Sequence, residues 1–502
     1  MAHRNIVRWA LIVTALISFH PLLWAQINPT GTLTGTVADS SGAAIGNATV
    51  QITETSTSTT YQTKSELDGH FYVGNLPPGT YNVTVTLKGF QTAVYSAVHI
   101  VVGVTYDLKV EMKVGAVEET VTVEAGQQVL ETVQTSISST ISGAAITNIP
   151  SVATTPLWSA TLLSPDIQTI GGPRQSSASG LPGGAVNVTY DGIAAQWQPG
   201  KSGDPLFTMT YPNIDNIAEV NISSAAGNAS QTGEGAVQIN LVSNRGTNSF
   251  HGGVYEYFRN DALNANYYFN NLAGQPRQKV RYNLWGGKLG GPILKDKLFV
   301  FGDFTYWGRP SSLTRTRTLL SQAAAQGMFA YVPVDSTGKP TLPASTPAWV
   351  TCNGNAVAPQ CTANLMQMAG NFGGTSQVDT LIGQTLTTLQ SAVSAPGVKA
   401  TTPPSLYQQA ITFNNSGKYY LEMPDLRLDW NITHVHSLEF DYHLTRFILN
   451  PDILNSGDYT FPVAPFNKNE AGYNSDRATW AWAWRWNIGT NKSNELRMGF
   501  QS

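Results

Sequence analysis

Between residues 425 and 445 the chain alternates with a period of two through two successive runs. In the first, Leu426, Leu428, Trp430 and Ile432 fall on one side, and Asp425, Arg427, Asp429 and Asn431 on the other. After a turn at His434-Val435-His436, Leu438, Phe440, Tyr442 and Leu444 oppose Glu439, Asp441, His443 and Thr445. Successive side chains of a strand point to opposite faces, so each run is a strand with one greasy and one charged face. Runs of about ten residues joined by a very short turn suit an outer-membrane barrel hairpin, apolar face to lipid and charged face to the lumen. Trp480, Trp482, Trp484 and Trp486 share one face of a later run, with Ala481, Ala483, Arg485 and Asn487 opposite. Four neighbouring indoles are hard to pack at native density in a small sandwich core. Facing lipid they need no matching cavity, and those near the strand ends suit the membrane interface. A soluble sandwich core and a lumenal aromatic slide for sugars are the competing placements.

The N-terminus sets the compartment. Arg4 and Arg8 precede an apolar run from Trp9 to Phe19, Pro21 breaks it, and Ala25 offers a small residue before Gln26. Residues 1–25 therefore read as a secretory signal peptide; the run is shorter than the roughly 20 residues of a spanning helix. No later stretch is a transmembrane-helix candidate, so a membrane role falls to β-strands. A net charge of −3 gives no nucleic-acid footprint. Charged residues are only 12% of the chain, and aromatics are 10%, too many for a disordered chain. The two cysteines, Cys352 and Cys361, follow the signal, and their spacing predicts a small disulfide-closed loop.

Residues 31–113 carry short strands broken by Asp39-Ser40-Ser41-Gly42, Asp68-Gly69 and Leu76-Pro77-Pro78-Gly79. Gly supplies φ > 0 and Pro fixes φ, so these are turns between the strands of a small sandwich. Val50, Asp68-Gly69-His70-Phe71, Leu76-Pro77-Pro78-Gly79-Thr80-Tyr81 and Lys88-Gly89-Phe90 resemble the carboxypeptidase regulatory-like domain. The resemblance implies a non-catalytic transthyretin-like, seven-stranded sandwich of the carbohydrate-binding-like class. Tyr61 and Tyr95 are the aromatics that would stack on a sugar, unless they pack within the strands. Residues 114–126 then form a linker containing Glu119-Thr120-Val121-Thr122-Val123. This extended segment suits strand addition by a partner; it is either a TonB box, bound by a TonB-type energy-transducing protein, or one more sandwich strand.

Residues 127–245 mix Gly, Ser, Thr and Asn with short apolar runs, including a helix-like piece at 157–163. Val188-Thr189-Tyr190-Asp191-Gly192, Ile217-Ala218-Glu219-Val220, Gly233-Glu234-Gly235 with Gln238-Ile239-Asn240, and Arg245-Gly246-Thr247-Asn248 resemble the plug domain of TonB-dependent receptors. Glu234-Gly235 stands where that family usually has Gly-Gly, and the element near Ile149-Pro150 departs from its pattern. From residue 246 to 502 the strands lengthen. The stretch His251–Gly274 and the run Gly290-Gly291-Pro292-Ile293 with Lys295-Asp296-Lys297 resemble the first barrel strands of Oar-like TonB-dependent receptors. The Ala/Thr/Pro-rich segment 310–415 reads as a long outer loop. The resemblance implies a barrel of about 22 strands, and roughly seven or eight strand-like runs follow Phe250, so a fragment of a longer receptor is expected.

The fold expected is mostly β: an N-terminal transthyretin-like sandwich, an α+β plug, then part of an antiparallel transmembrane barrel. H-E-x-x-H, G-x-S-x-G and Walker patterns do not occur, so neither catalysis nor a cofactor is expected. His434, His436 and His443 form the only histidine cluster; they read as polar positions flanking a turn rather than as metal ligands. Two functions follow. One is an outer-membrane TonB-dependent receptor, in contact with outer-membrane lipid, that takes up an unidentified small ligand or carbohydrate. The other is a secreted carbohydrate-binding or adhesive β protein.

Overall fold

The computed structural model describes residues 29–115, 120–124, 137–148, 167–169, 176–178, 183–200, 206–224, 237–272, 274–277, 279, 281–353, 359–401, 407–452, 460–468, 472–488 and 492–502. The helix-like piece at 157–163 and Glu119 lie outside them, as does the signal segment 1–25. Strands predominate throughout.

The first unit is a sandwich of strands β1 (Gly31–Asp39), β2 (Thr49–Glu54), β3 (Thr60–Lys64), β4 (His70–Leu76), β5 (Gly79–Thr86), β6 (Thr92–Ile100), β7 (Thr105–Met112) and β8 (Thr120–Glu124). One sheet runs β4-β1-β7 and the other β3-β2-β5-β6-β8. Their inner faces bury Leu33, Val37, Val50, Ile52, Phe71, Tyr81, Val83, Val85, Val110 and Met112. The alternation of Tyr81, Val83 and Val85 with Asn82, Thr84 and Thr86 sets which face is inside. Gly69 turns the β3–β4 connection at φ +79, and Gly35 lets β7 approach, since a Cβ there would lie 2.1 Å from the Leu108 carbonyl oxygen.

The middle unit has a two-stranded piece, β10 (Ile167–Thr169) with β11 (Ser176–Ala178), and a mixed sheet ordered β13-β12-β15-β14-β9. That sheet comprises β9 (Ile137–Ser142), β12 (Val186–Tyr190), β13 (Ile193–Ala194), β14 (Ile217–Ser224) and β15 (Val237–Ser243), with β12 and β15 parallel. One face packs Val186, Val188, Tyr190, Val220, Ile222, Ile239 and Leu241 around Ile146. The other face buries polar side chains, where Thr189 donates to Asn240 (2.9 Å) and Asn221 to Thr140 (3.0 Å). Buried polar groups need polar partners, and the 101–104 loop of the sandwich lies over this face at Glu219, Asn221 and Asn240.

The third unit is an antiparallel wall ordered β16-β17-β18-β25-β26-β27-β28. Its strands are β16 (His251–Arg259), β17 (Tyr282–Leu294), β18 (Leu298–Gly308), β25 (Tyr419–Asn431), β26 (His436–Leu449), β27 (Tyr473–Ile488) and β28 (Lys492–Gln501). Between β18 and β25 the same ribbon continues as β19 (Ser311–Leu320) paired with β24 (Gln408–Gly417). It carries β20 (Met328–Tyr331), β21 (Val350–Asn353), β22 (Gln360–Asn364), the short β23 (Lys399–Ala400) and helices at Leu365–Asn371 and Thr380–Ser391. The described residues of 310–415 are thus a structured extension of one hairpin. The backbone pairing of β18 with β25 carries straight on into it, from Gly308↔Tyr420 to Ser311↔Gly417. Short connections such as Lys295–Lys297 lie at one end of the wall, and this extension lies at the other. Among the described residues the wall is an open sheet, with β16 and β28 at its edges.

Candidate functional site: a charged seam between sheet and wall

Period-two alternation puts Asp425 and Arg427 of β25, Glu439, Asp441 and His443 of β26, Arg485 of β27 and Arg497 of β28 on the inward face of the wall. All are buried, Asp441 to 0% exposure. The sequence reading had this charged face lining a lumen; here it is buried, because the middle unit lies against it.

Asp191 is the middle unit's main contribution. It begins the turn from β12 to β13 at φ 48, beside Gly192 at φ 75. Asp residues tolerate this left-handed conformation, and it aims the carboxylate at the wall. One oxygen accepts from the Ser243 backbone N–H (2.9 Å) and from Arg427 Nη1 (3.3 Å). The other lies 3.0 Å from His443 Nε2. Burial pushes the Asp191 carboxyl up, but the His443 hydrogen bond and the Arg427 charge outweigh it and hold it below the usual range. Tyr190 stacks on the His443 ring at 4.0 Å between centroids.

The wall completes the network. His443 Nδ1 lies 2.8 Å from Asp425 Oδ1, and Asn216 of the middle unit donates to Asp425 Oδ2 at 2.9 Å. Glu439 accepts from Arg427 (2.7 Å), Arg485 (2.7 Å) and Arg497 (2.8 Å), and both Arg485 and Arg497 also reach Glu495. Arg497 returns to the middle unit by donating to the Asp191 carbonyl at 2.6 Å. Asp441 lies 3.7 Å from Arg427 Nε, with no hydrogen bond to either oxygen. A second contact joins Lys288 Nζ to the Asp215 carbonyl at 2.8 Å, with Tyr257 donating to the Asp215 carboxylate at 3.0 Å. Removing one member of such a buried set leaves another charge uncompensated, so the seam is strongly held yet dependent on register. Apart from Asp441, its charged members are joined by hydrogen-bonded ion pairs.

The outward face of the wall is the opposite in character. Trp480, Trp482, Trp484 and Trp486 are all exposed on it, with Phe440 4.4 Å from Trp482 between ring centroids and His436 near-parallel to both Trp484 and Trp486, 5.8 and 5.5 Å away. Leu426, Trp430, Leu438, Leu496, Met498 and Phe500 continue this surface. It is bounded at the extension end by the ion pairs of Arg446 with Glu422 and Asp476. From Ala478 to Trp486 the outward positions are uncharged. About nine residues at ~3.3 Å each give roughly 30 Å along the strand. At a tilt of ~40° that is a band about 23 Å tall, close to the ~25 Å apolar band of membrane barrels.

The other residues singled out from the sequence fall elsewhere. Thr120, Val121, Thr122 and Val123 form most of β8, which pairs in parallel with β6 at the edge of the sandwich; the extended segment is thus bonded on one side instead of free on both. Cys352 and Cys361 face each other across the β21–β22 pair and are joined in a disulfide. Tyr61 and Tyr95 are buried at 9% and 8% exposure, so they pack within the strands. The three histidines do not converge: His443 is in the seam, His436 is among the tryptophans, and His434 is in an exposed turn. The sequence showed Asp191 only within a plug-like motif and the inward charges only as lumen lining. The signal that could have joined them is the Tyr-Asp-Gly turn aimed toward strands that alternate charge on one face.

Residues 242–502 match the outer membrane beta barrel domain, and residues 32–113 the carboxypeptidase regulatory-like domain. The TonB-dependent transporter Oar of Myxococcus xanthus is 27% identical over 341 residues, covering 62% of this chain and 29% of that protein. The chain therefore spans less than a third of the length of this curated relative. Among solved structures, the outer membrane transporter YddB from Escherichia coli superposes with a TM-score of 0.41 at 11% identity, over 72% of this chain and 38% of that one. The siderophore receptor PirA from Acinetobacter baumannii gives a TM-score of 0.35 at 12% identity, over 74% and 48%. With the barrel-domain match spanning just over half of its residues, the chain belongs to the outer membrane beta barrel domain family and resides in the outer membrane, with a carboxypeptidase regulatory-like domain ahead of the wall.

Proposed function

We propose that the chain works as a TonB-dependent receptor and transporter, moving an unidentified small ligand or carbohydrate across the outer membrane. In this reading the middle unit, residues 127–245, is the plug, and residues 246–502 supply part of the barrel around it. Residues 114–126 connect the sandwich to the plug, and Glu119–Val123 is the segment that a TonB-type partner takes up by strand addition. The sandwich then lies on the periplasmic side, since it meets the short-connection end of the wall, and the hairpin extension of 310–415 lies outside the cell.

One observation carries the reading. A wall with an uncharged, tryptophan-rich outer face holds a separately folded sheet against its inner face through buried ion pairs. A secreted, non-inserted β protein has no use for that outer face, and membership in an outer-membrane family stands against such a protein. The 27% identity to a TonB-dependent transporter supports the direction of the proposal.

The test is migration on a denaturing gel with and without boiling, using outer-membrane fractions of cells expressing the chain. The receptor reading expects the unheated protein to fractionate with outer membranes and to run as a compact species that boiling shifts. Recovery from the periplasm or medium, with no heat-dependent shift, contradicts it.

A further inference from the structure

Among the described residues, the loops of the sandwich that hydrogen-bond to the rest of the molecule lie at one of its ends, and β4 also lies against β28 at Gly74 and Ser493. Register places the loops together: Glu54 at the end of β2 pairs with Tyr81, Leu76 at the end of β4 pairs with Gly31, and Gly79 pairs with Ile100 at the end of β6. Residues 55–59, 77–78 and 101–104 therefore share one end.

Each of these loops grips a different part of the body. Arg245 forms an ion pair with Glu54, a side chain only 1% exposed, and donates to the Pro78 carbonyl at 2.8 Å. Arg245 lies in the segment that joins the middle unit to the wall. Three residues on, the Asn248 backbone N–H donates to the Ser56 carbonyl (2.9 Å), and its side chain donates to Asp296 in the β17–β18 turn (2.6 Å). Asn431, at the end of β25, donates to Thr59 Oγ1 at 2.7 Å. On the other side of the seam, the Val102 N–H donates to Glu219 of β14 at 3.3 Å, and Gly103 lies over Asn221 and Asn240 of the middle sheet. The sandwich thus straddles the seam at the short-connection end, holding sheet and wall at once.

We propose that the N-terminal sandwich is a lid on the periplasmic mouth of the seam, latched by Arg245, rather than a sugar-capturing module. The proposal rests on the transport reading above. Neither Tyr61 nor Tyr95 offers a free face for a sugar ring, and Tyr95 Oη already accepts from the Glu111 N–H. Strand β8 belongs to the lid's own sheet. A pull on this strand therefore acts first on β6, whose far end carries the 101–104 loop that touches the middle sheet. Nothing leaves the seam at this end until the lid detaches.

The experiment uses the full chain with Thr59→Cys and Asn431→Cys, in whole cells treated with a short bifunctional thiol reagent. The two native cysteines are joined to each other, so the introduced thiols are the free ones. Gln51→Cys with Gln62→Cys, cross-strand partners on the exposed side of β2 and β3, controls for reagent access and for sandwich folding. The lid account expects efficient cross-linking of 59 to 431 after the inner-membrane proton gradient is collapsed, and a several-fold lower rate in energised cells. Glu54→Gln should lower the rate several-fold even without the gradient. Equal rates with and without the gradient would make the sandwich a fixed brace and overturn the lid. So would failure of the 59–431 pair to react while the control pair does. Loss of outer-membrane, heat-modifiable behaviour strikes the transport reading instead; loss of energy dependence in a chain that keeps that behaviour strikes only the lid.

Discussion

The Asp191 carboxylate meets two wall side chains, Arg427 and His443, while its backbone is fixed in a turn and its carbonyl accepts from Arg497. Asp191→Ala leaves Arg427 and His443 without this acceptor in a buried seam. Breaking a buried pair by removing one partner costs about 3–5 kcal/mol, so the variant in detergent is expected to unfold at clearly lower denaturant than the parent, read by tryptophan fluorescence. Asp191→Asn, which keeps the turn but loses the charge, is expected to be intermediate. Glu219 makes a pH prediction. Burial pushes its carboxyl up to about 7, against the opposing pull of the Val102 N–H and the Arg245 charge, and His99 lies 4.0 Å away. A carboxyl whose folded pKa lies above its unfolded value stabilises the folded state most below the unfolded value, near 4.5. That contribution is lost as pH rises through about 7. Thermal stability of the sandwich–sheet contact should therefore fall between these limits as pH rises, and Glu219→Gln should flatten that part of the profile. A profile unchanged by the substitution would show that Glu219 titrates normally.

At the level of strands, the outward face of β27 is graded by depth. Trp482 is midway between the uncharged ends of the band, and Trp486 is close to the short-connection end. An arginine on the lipid face costs ~2–4 kcal/mol at the bilayer midplane and ~0–1 near the interface. Trp482→Arg is thus expected to lower folding stability in bilayers far more than Trp486→Arg, measured by reversible denaturant titration in liposomes. Equal effects would contradict a lipid-facing strand. These strands were legible from the sequence because period-two alternation over ten residues has few other meanings. The 310–415 segment was not legible, because its Ala, Thr and Pro content masks β19 and β24, which pair with each other across nearly a hundred residues. The sequence left Glu119–Val123 as either a TonB box or one more sandwich strand, and Thr120–Val123 lie in β8. Its attachment to β6 depends on a parallel pairing, which no local pattern announces.

For the whole molecule, the three units meet pairwise, and buried polar contacts join each pair. The sequence made the units visible through turn chemistry, the change in strand length and motif resemblance. It hid the interfaces, because charges on alternate positions of β25 and β26 look the same whether they face water or Asp191. The same ambiguity hid the lid contact: Glu54 and Arg245 are nearly two hundred positions apart, and neither stands in a motif that calls for the other. The account as a whole depends on hydrocarbon lying against one side of the wall and protein against the other. Quenching of tryptophan fluorescence by brominated lipids tests that most directly, with the chain reconstituted in vesicles and compared with a variant in which Trp480, Trp482, Trp484 and Trp486 are all Phe. The account predicts strong quenching in the parent, much reduced in the variant, and little quenching of these four by aqueous iodide. Iodide quenching without bromolipid quenching would contradict it.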